Sequence, residues 1–217
     1  MPKVHSANLI EALQGKRLLI FDFDGTVADT TQMHAAAFSK VLEPLGITPD
    51  YSRVAGLKTL DAMRQCLSRA DRTVNDTELA ALVNAKQQCV RQMIGQALQP
   101  LPGVDEFLKW ARMRYRLAMV TSGSRGTVSM ALEKLGYADW FNPLICADDV
   151  HQAKPDPAGF LAAIEMTGVL KKHALVFEDS DAGIAAAAAA ALDCCDVRNG
   201  LLGSWCVIEP LSRTTGK

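Results

Sequence analysis

Short apolar runs that stop abruptly at acidic or hydroxylated residues recur along this chain. Leu18-Leu19-Ile20-Phe21 ends at Asp22, and 117–120 ends at Thr121-Ser122-Gly123-Ser124. The run 144–147 ends at Asp148-Asp149, and 175–177 ends at Glu178-Asp179-Ser180. Each has the length and apolar continuity of a strand buried on both faces, and 194–197 reads as a fifth. Between them, 104–114, 127–135, 157–167 and 182–191 carry helical patterns. The alternation predicts an α/β fold, a Rossmann-like parallel sheet with helices on both faces. Ligands in such sheets bind beyond the carboxyl ends of the strands, where all of these polar clusters fall. The unbroken alanine run 185–191 predicts a helix lying close against the sheet.

Residues 30–99 break the alternation. They show helical stretches at 31–42, 60–70 and 76–98 and no strand, with Pro44, Gly46, Pro49 and Gly56 as punctuation. Gln99-Pro100-Leu101-Pro102-Gly103 closes the segment. The expected organisation is a core domain of residues 1–29 and 100–217, with a small helical cap domain, 30–99, inserted after the first strand. Placed above the strand ends, the insert is positioned to act as a lid.

Composition narrows the function. A 217-residue chain with 49% hydrophobic residues builds a core without covalent staples. Its net charge of −1 gives no footprint for nucleic acid. No apolar run approaches the ~20 residues of a membrane span, and MPKVHSANLIEALQGKR holds no apolar signal core, so a cytoplasmic location is expected. Cys66, Cys89, Cys146, Cys194, Cys195 and Cys206 form no CxxC pair and read as buried, reduced thiols.

The candidate chemistry starts at Asp22 and Asp24. In an extended segment, positions i and i+2 face the same way, so two carboxylates sit side by side and repel. A divalent cation with oxygen ligands resolves that repulsion. Glu178-Asp179 supplies a second acidic pair at another strand end. With no His/Cys set accompanying these oxygens, Mg²⁺ fits better than zinc. No glycine-rich phosphate loop of the nucleotide-binding kind is present.

Four motifs in order, FDFDGTVADT, VTSGS, Lys154 in AKPDP, and FEDSDAG, resemble those of the haloacid dehalogenase-like hydrolase superfamily. They span the chain from Arg17 to Val197. Within the superfamily the chain is similar to the helical-cap subgroup that includes β-phosphoglucomutases and fructose-1-phosphate-type sugar phosphatases. The resemblance implies that Asp22 attacks phosphorus to give an aspartyl-phosphate, and that Asp24 serves as general acid and base. An acid at position 24 also implies phosphate chemistry rather than carbon–halogen cleavage. Thr121, with the backbone amides of Ser122 and Gly123, would bind phosphoryl oxygens, and Lys154 would neutralise them. Mg²⁺ would be held by Asp22, Asp179, the Asp24 carbonyl and Glu178, the last either directly or through a water. Asp181 reads as a cap or a supporting residue, and Gly183 lets the following helix start close to the loop.

The insert would choose the substrate, a small phosphorylated metabolite. His34 is expected to contact a substrate hydroxyl or Asp24, or else to be a satisfied hinge histidine. Lys86 either reaches into the site or lies on a solvated helix face. Resembling mutases carry an arginine near Gly56-Leu57-Lys58-Thr59; Lys58 lacks its bidentate geometry. The sequence therefore favours a phosphatase acting on a sugar phosphate, with a phosphomutase as runner-up and an idle ligand-binding domain behind. The resemblance also implies a monomer.

Overall fold

The computed structural model describes residues 9–198 together with 200 and 202. Five strands form one parallel sheet: β1 (Leu18–Phe21), β2 (Arg116–Val120), β3 (Leu144–Ile145), β4 (Ala174–Glu178) and β5 (Asp193–Asp196), in the order β3-β2-β1-β4-β5. The central strand β1 pairs Phe21 with Met119 of β2 and with Phe177 of β4. That register brings Asp22, Thr121 and Glu178 to one edge of the sheet.

The two-residue period of the strands divides the core. Leu19 and Phe21 face a layer built on Phe107, Leu108, Leu132 and Phe141, where Phe21 stacks on Phe177 at 4.7 Å. Leu18 and Ile20 face the opposite layer with Phe160 and the small side chains of Ala186, Ala187 and Ala190. These alanines lie on and just after α8 (Asp181–Ala189), and their small size lets this helix lie close to the sheet. The remaining core helices are α5 (Val104–Ala111), α6 (Arg125–Leu135) and α7 (Ala158–Thr167).

A helical region follows β1: α2 (Thr31–Leu42), α3 (Thr59–Arg69) and α4 (Asp76–Ala97). It has its own apolar centre of Phe38, Leu42, Val54, Met63 and Leu67. Asn75 and Glu78 close a reciprocal capping box at the start of α4. The chain enters and leaves this region through a narrow neck, where Leu101 N donates to Val27 O at 3.0 Å and Ala28 pairs antiparallel with Pro100.

Several boundaries differ from the sequence pattern, most of them by one or two residues. A short helix, α1 (Leu9–Leu13), precedes β1 and buries Leu9 and Leu13. β3 stops at Ile145 because the Asp149 carboxylate accepts the Cys146 amide at 2.7 Å and coils 147–149 into a 3₁₀ turn. α5 ends at Ala111, three residues early, where the chain tightens so that Arg114 N donates to Ala111 O at 2.9 Å. The five described cysteines are unpaired, and Cys206 lies outside the described residues. No helix among the described residues is long and apolar enough to cross a membrane.

Candidate active site

The loop after β1 turns through Gly25, whose φ of +82° suits glycine. A Cβ at this position would lie 2.2 Å from Asp179 Oδ2, so glycine is also what lets this loop reach the one after β4. Thr26 fastens the approach by donating its hydroxyl to Asp179 Oδ1 at 3.1 Å.

Lys154 is the hub of the site. Its buried amine donates to Asp22 Oδ1 at 2.6 Å, to Glu178 Oε1 at 2.5 Å and to the Val120 carbonyl at 2.9 Å. Three acceptors match the three protons of an ammonium. Glu178, fully buried, uses its other oxygen to accept from Asp179 N, Ser180 N and Ser180 Oγ, each at 3.0 Å. Both Glu178 oxygens are therefore engaged, and the residue shapes the loop that presents Asp179. Gly183 permits that arrangement, since a Cβ there would lie 1.8 Å from Glu178 Oε1. Ser180 caps α8 by accepting from Gly183 N.

Asp22, Glu178 and Asp179 can each present a carboxylate oxygen with all three within 4.8 Å of one another. An all-oxygen cluster of this kind can coordinate a divalent cation of the hard class. Among the described residues, no hydrogen bond goes to Asp22 Oδ2 or Asp179 Oδ2, which leaves them for such an ion. The Asp24 side chain lies outside this cluster, so only its main-chain carbonyl remains for the metal role expected of it.

Asp24 turns instead toward the helical region. Its Oδ1 accepts from Thr30 Oγ1 at 2.6 Å and lies 3.3 Å from His34 Nε2. His34 Nδ1 in turn lies 2.8 Å from Lys86 Nζ. Lys86 is 2% exposed, which removes the solvated-face alternative. Burial alone would raise the Asp24 carboxyl, but His34, Thr30 and Lys86 outweigh it and hold it at about 2. Burial also drops the Lys86 amine to about 8, against the pull of Asp24.

Across the sheet, Thr121 is buried and its Oγ1 accepts from Gly123 N at 3.1 Å. Among the described residues nothing accepts the threonine proton, which is left to donate, while the Gly123 amide is already engaged. Ser122, Gly123 and Lys154 join Asp22, Asp24, His34, Tyr51, Lys86 and Asp179 around a cavity of about 120 Å³. Lys58 is outside this lining: its amine donates to the Val150 carbonyl at 2.6 Å, beside a smaller gap shared with Thr121 and Lys154. Thr26, Thr30, Tyr51 and Ser180 were not singled out in the sequence, although both threonines lie within the DGTVADT stretch.

The acidic cluster carries a pH signature. Burial, with Glu178 and the other carboxylates outweighing Lys154, raises Asp22 well above the usual range. Burial and Glu178 bring Asp179 from 3.8 to about 6. A raised acid favours folding while protonated, and that contribution is lost as pH climbs through the folded value. Asp24 is already ionised above pH 4, and Lys86 titrates above the window. Without divalent cation, the melting temperature should therefore fall between pH 5 and pH 7.5, by about 5–10 °C for ~2–3 kcal/mol. A divalent cation bound at the acidic cluster should abolish most of the difference. Thermal denaturation in chelator across that range is the check; a flat profile would contradict these electrostatics.

Residues 19–197 match the haloacid dehalogenase-like hydrolase family. The chain is 34% identical over 180 residues to fructose-1-phosphate phosphatase YqaB of Escherichia coli (strain K12), covering 83% of this chain and 95% of that protein. It is 31% identical to validoxylamine A 7'-phosphate phosphatase of Streptomyces hygroscopicus subsp. limoneus, over 82% of this chain and 84% of that one. Among solved structures, CbbY from Rhodobacter sphaeroides in complex with phosphate superposes with a TM-score of 0.74 at 24% identity, covering 82% of this chain and 84% of that one. β-Phosphoglucomutase (pgmB) from Clostridium difficile superposes at 0.76 with 22% identity, covering 82% and 83%.

Proposed function

Because the chain belongs to the haloacid dehalogenase-like hydrolases, we propose that it is a Mg²⁺-dependent phosphatase that hydrolyses a small sugar phosphate through Asp22. The observation that carries this reading is the state of the Asp22 carboxylate. One oxygen accepts from Lys154 and the other has no hydrogen-bond partner among the described residues. The two can therefore serve phosphorus and the metal at once, beside a cavity that Asp24, Ser122 and Gly123 also line.

In the first step an Asp22 oxygen forms the bond to phosphorus as the bond to the leaving oxygen breaks. The negative charge of the incoming phosphate favours protonation of Asp24, which takes up a proton with the substrate and passes it to the leaving oxygen. In the second step water attacks phosphorus, the Asp22–phosphorus bond breaks, and Asp24 takes the proton from water. The ionised Asp24 held by Thr30 and His34 is the form that this water step requires. Thr121 and Lys154 offer a hydroxyl and an ammonium to the phosphoryl oxygens as charge shifts onto them. Asp22, Asp179 and the Asp24 carbonyl would hold Mg²⁺, which supplies charge neutralisation at the phosphoryl group. Glu178, with both oxygens engaged, would orient that site without ligating directly.

The sugar portion would meet His34, Tyr51, Thr59 and Gln87, whose polar groups suit hydroxyls, against an apolar wall of Phe38, Val54 and Val90. A mutase would need a second cationic phosphate site in the insert. Lys86 already contacts His34 and Thr59, and Lys58 faces Val150, which supports hydrolysis over isomerisation.

The deciding experiment measures inorganic phosphate released from p-nitrophenyl phosphate and a panel of sugar monophosphates, with Mg²⁺ and with chelator. Mg²⁺-dependent release, faster on at least one sugar phosphate, is the expected result. Interconversion of glucose 1- and 6-phosphates without net release would replace it with the mutase reading.

A further inference from the structure

Lys58 stands immediately before α3, in a segment that runs Gly56-Leu57-Lys58 across the edge of the site. At Gly56 the backbone passes so close to the loop after β4 that an added Cβ would lie 3.1 Å from Ser180 Oγ. Two residues on, the Lys58 amine donates to Val150 O at 2.6 Å and reaches His151 O at 3.4 Å. This short stretch of the helical insert thus touches the loops after both β3 and β4.

The two acceptors lead directly into the catalytic lysine: Val150 and His151 lie four and three residues before Lys154. The stretch is tied upstream to the core, where Arg125 pairs with Asp149 and Asp149 accepts the Cys146 amide. Between Asp149 and Lys154, no other side chain of the described residues donates to the backbone carbonyls. Nor does any described carboxylate form an ion pair with Lys58. A lysine directed at main-chain carbonyls makes a charge-assisted hydrogen bond that exists only while the insert is down on the core.

We propose that Lys58 is a positioning residue that latches the insert over the site and, through Val150 and His151, sets the backbone from which Lys154 reaches Asp22 and Glu178. Closure of the insert and placement of Lys154 then stabilise each other by the same factor, as linkage requires. A direct role for Lys58 in binding substrate charge fits less well. Its neighbours Leu57 and Thr59 line the main cavity, and Lys58 does not.

The test compares the wild-type chain with Lys58→Met and Lys58→Arg by amide hydrogen exchange and by steady-state kinetics on p-nitrophenyl phosphate. Lys58→Met should speed exchange at 54–62 and at 150–156 together by about tenfold, the scale of one charge-assisted hydrogen bond. Lys58→Arg should restore most of the protection. In turnover, Lys58→Met should lower kcat about tenfold with KM little changed, because a displaced Lys154 weakens the transition state. Faster exchange confined to 54–62, or a rise in KM alone, would overturn the latch. So would an arginine variant as impaired as the methionine one. The kinetic arm rests on the phosphatase reading. The exchange arm does not, so an inactive wild-type protein would sink that reading while exchange still decides the latch.

Discussion

Asp22→Asn should lose activity by about 10⁴-fold or more, because among the described residues no other carboxylate both contacts Lys154 and lines the cavity. The amide has nearly the same shape, so Lys154 can still donate to its oxygen and the geometry of Glu178 is preserved. The same substitution should make the metal-free protein more stable at pH 7.5. In the wild type, Asp22 is buried with Glu178, Asp179 and Asp24 nearby, and its ionisation opposes folding at neutral pH. Removing that charge relieves the repulsion, so the melting temperature in chelator should rise by a few degrees. The decrease in stability between pH 5 and pH 7.5 should become shallower as well. An inactive variant that melts higher cannot be dismissed as misfolded. A variant with near-normal phosphate release would remove Asp22 from the chemistry, and one that melts lower would mean that Asp22 stabilises the apo site.

The parts of this molecule that were legible in its sequence are those governed by local rules. Each buried strand announces itself as an apolar run ended by a polar residue. In a parallel sheet those ends share one edge, so Asp22, Thr121 and Glu178 were readable as a group, while Lys154, in a loop, entered only through the family resemblance of AKPDP. Features that depend on contacts between distant segments were not legible. β3 is shortened by a bond from Asp149 to a backbone amide, and α1 is too short to show a period. Two insert lysines make the contrast sharper. Lys86 falls in register with Leu79, Val90 and Ile94, the buried residues of α4, so a lysine on an apolar stripe was a readable sign of burial. Lys58 precedes a helix and carries no such register. Its partner is a backbone carbonyl 92 residues away, and carbonyls leave no mark in a sequence. Glu178 lies between these cases. Its strand-end position marked it as part of the site, but its full set of hydrogen bonds is a property of the folded loop alone.

Lys154→Met should be the most disruptive single change, because it strikes stability and chemistry together. Among the described residues, its amine is the one cation in contact with both Asp22 and Glu178. Its own charge is held firmly, raised above the ordinary lysine value by both carboxylates despite burial. Breaking a buried ion pair by deleting one partner costs about 3–5 kcal/mol, since the orphaned charge remains in a poorly solvated place. Here two carboxylates are orphaned at once, and the Val120 carbonyl loses its donor. Phosphate release should fall by about 10³-fold or more, through loss of the charge facing the phosphoryl oxygens and disorder in the carboxylates behind it. The deficit in stability should shrink as pH drops from 7.5 to 5, because protonating Asp22, raised by burial and its acidic neighbours, removes one uncompensated charge. Lys154→Arg should not rescue: the three acceptors surround a compact ammonium, and a planar guanidinium cannot address them from one point. A double-variant cycle isolates the cause. If the loss comes from orphaned charge, adding Asp22→Asn to Lys154→Met should recover at least ~1 kcal/mol relative to additivity, within the range expected for residues in direct contact. Strict additivity in chemical denaturation would show that Lys154 stabilises the fold through its ammonium over the Phe160 ring, 5.3 Å from the ring centre, rather than through the carboxylates.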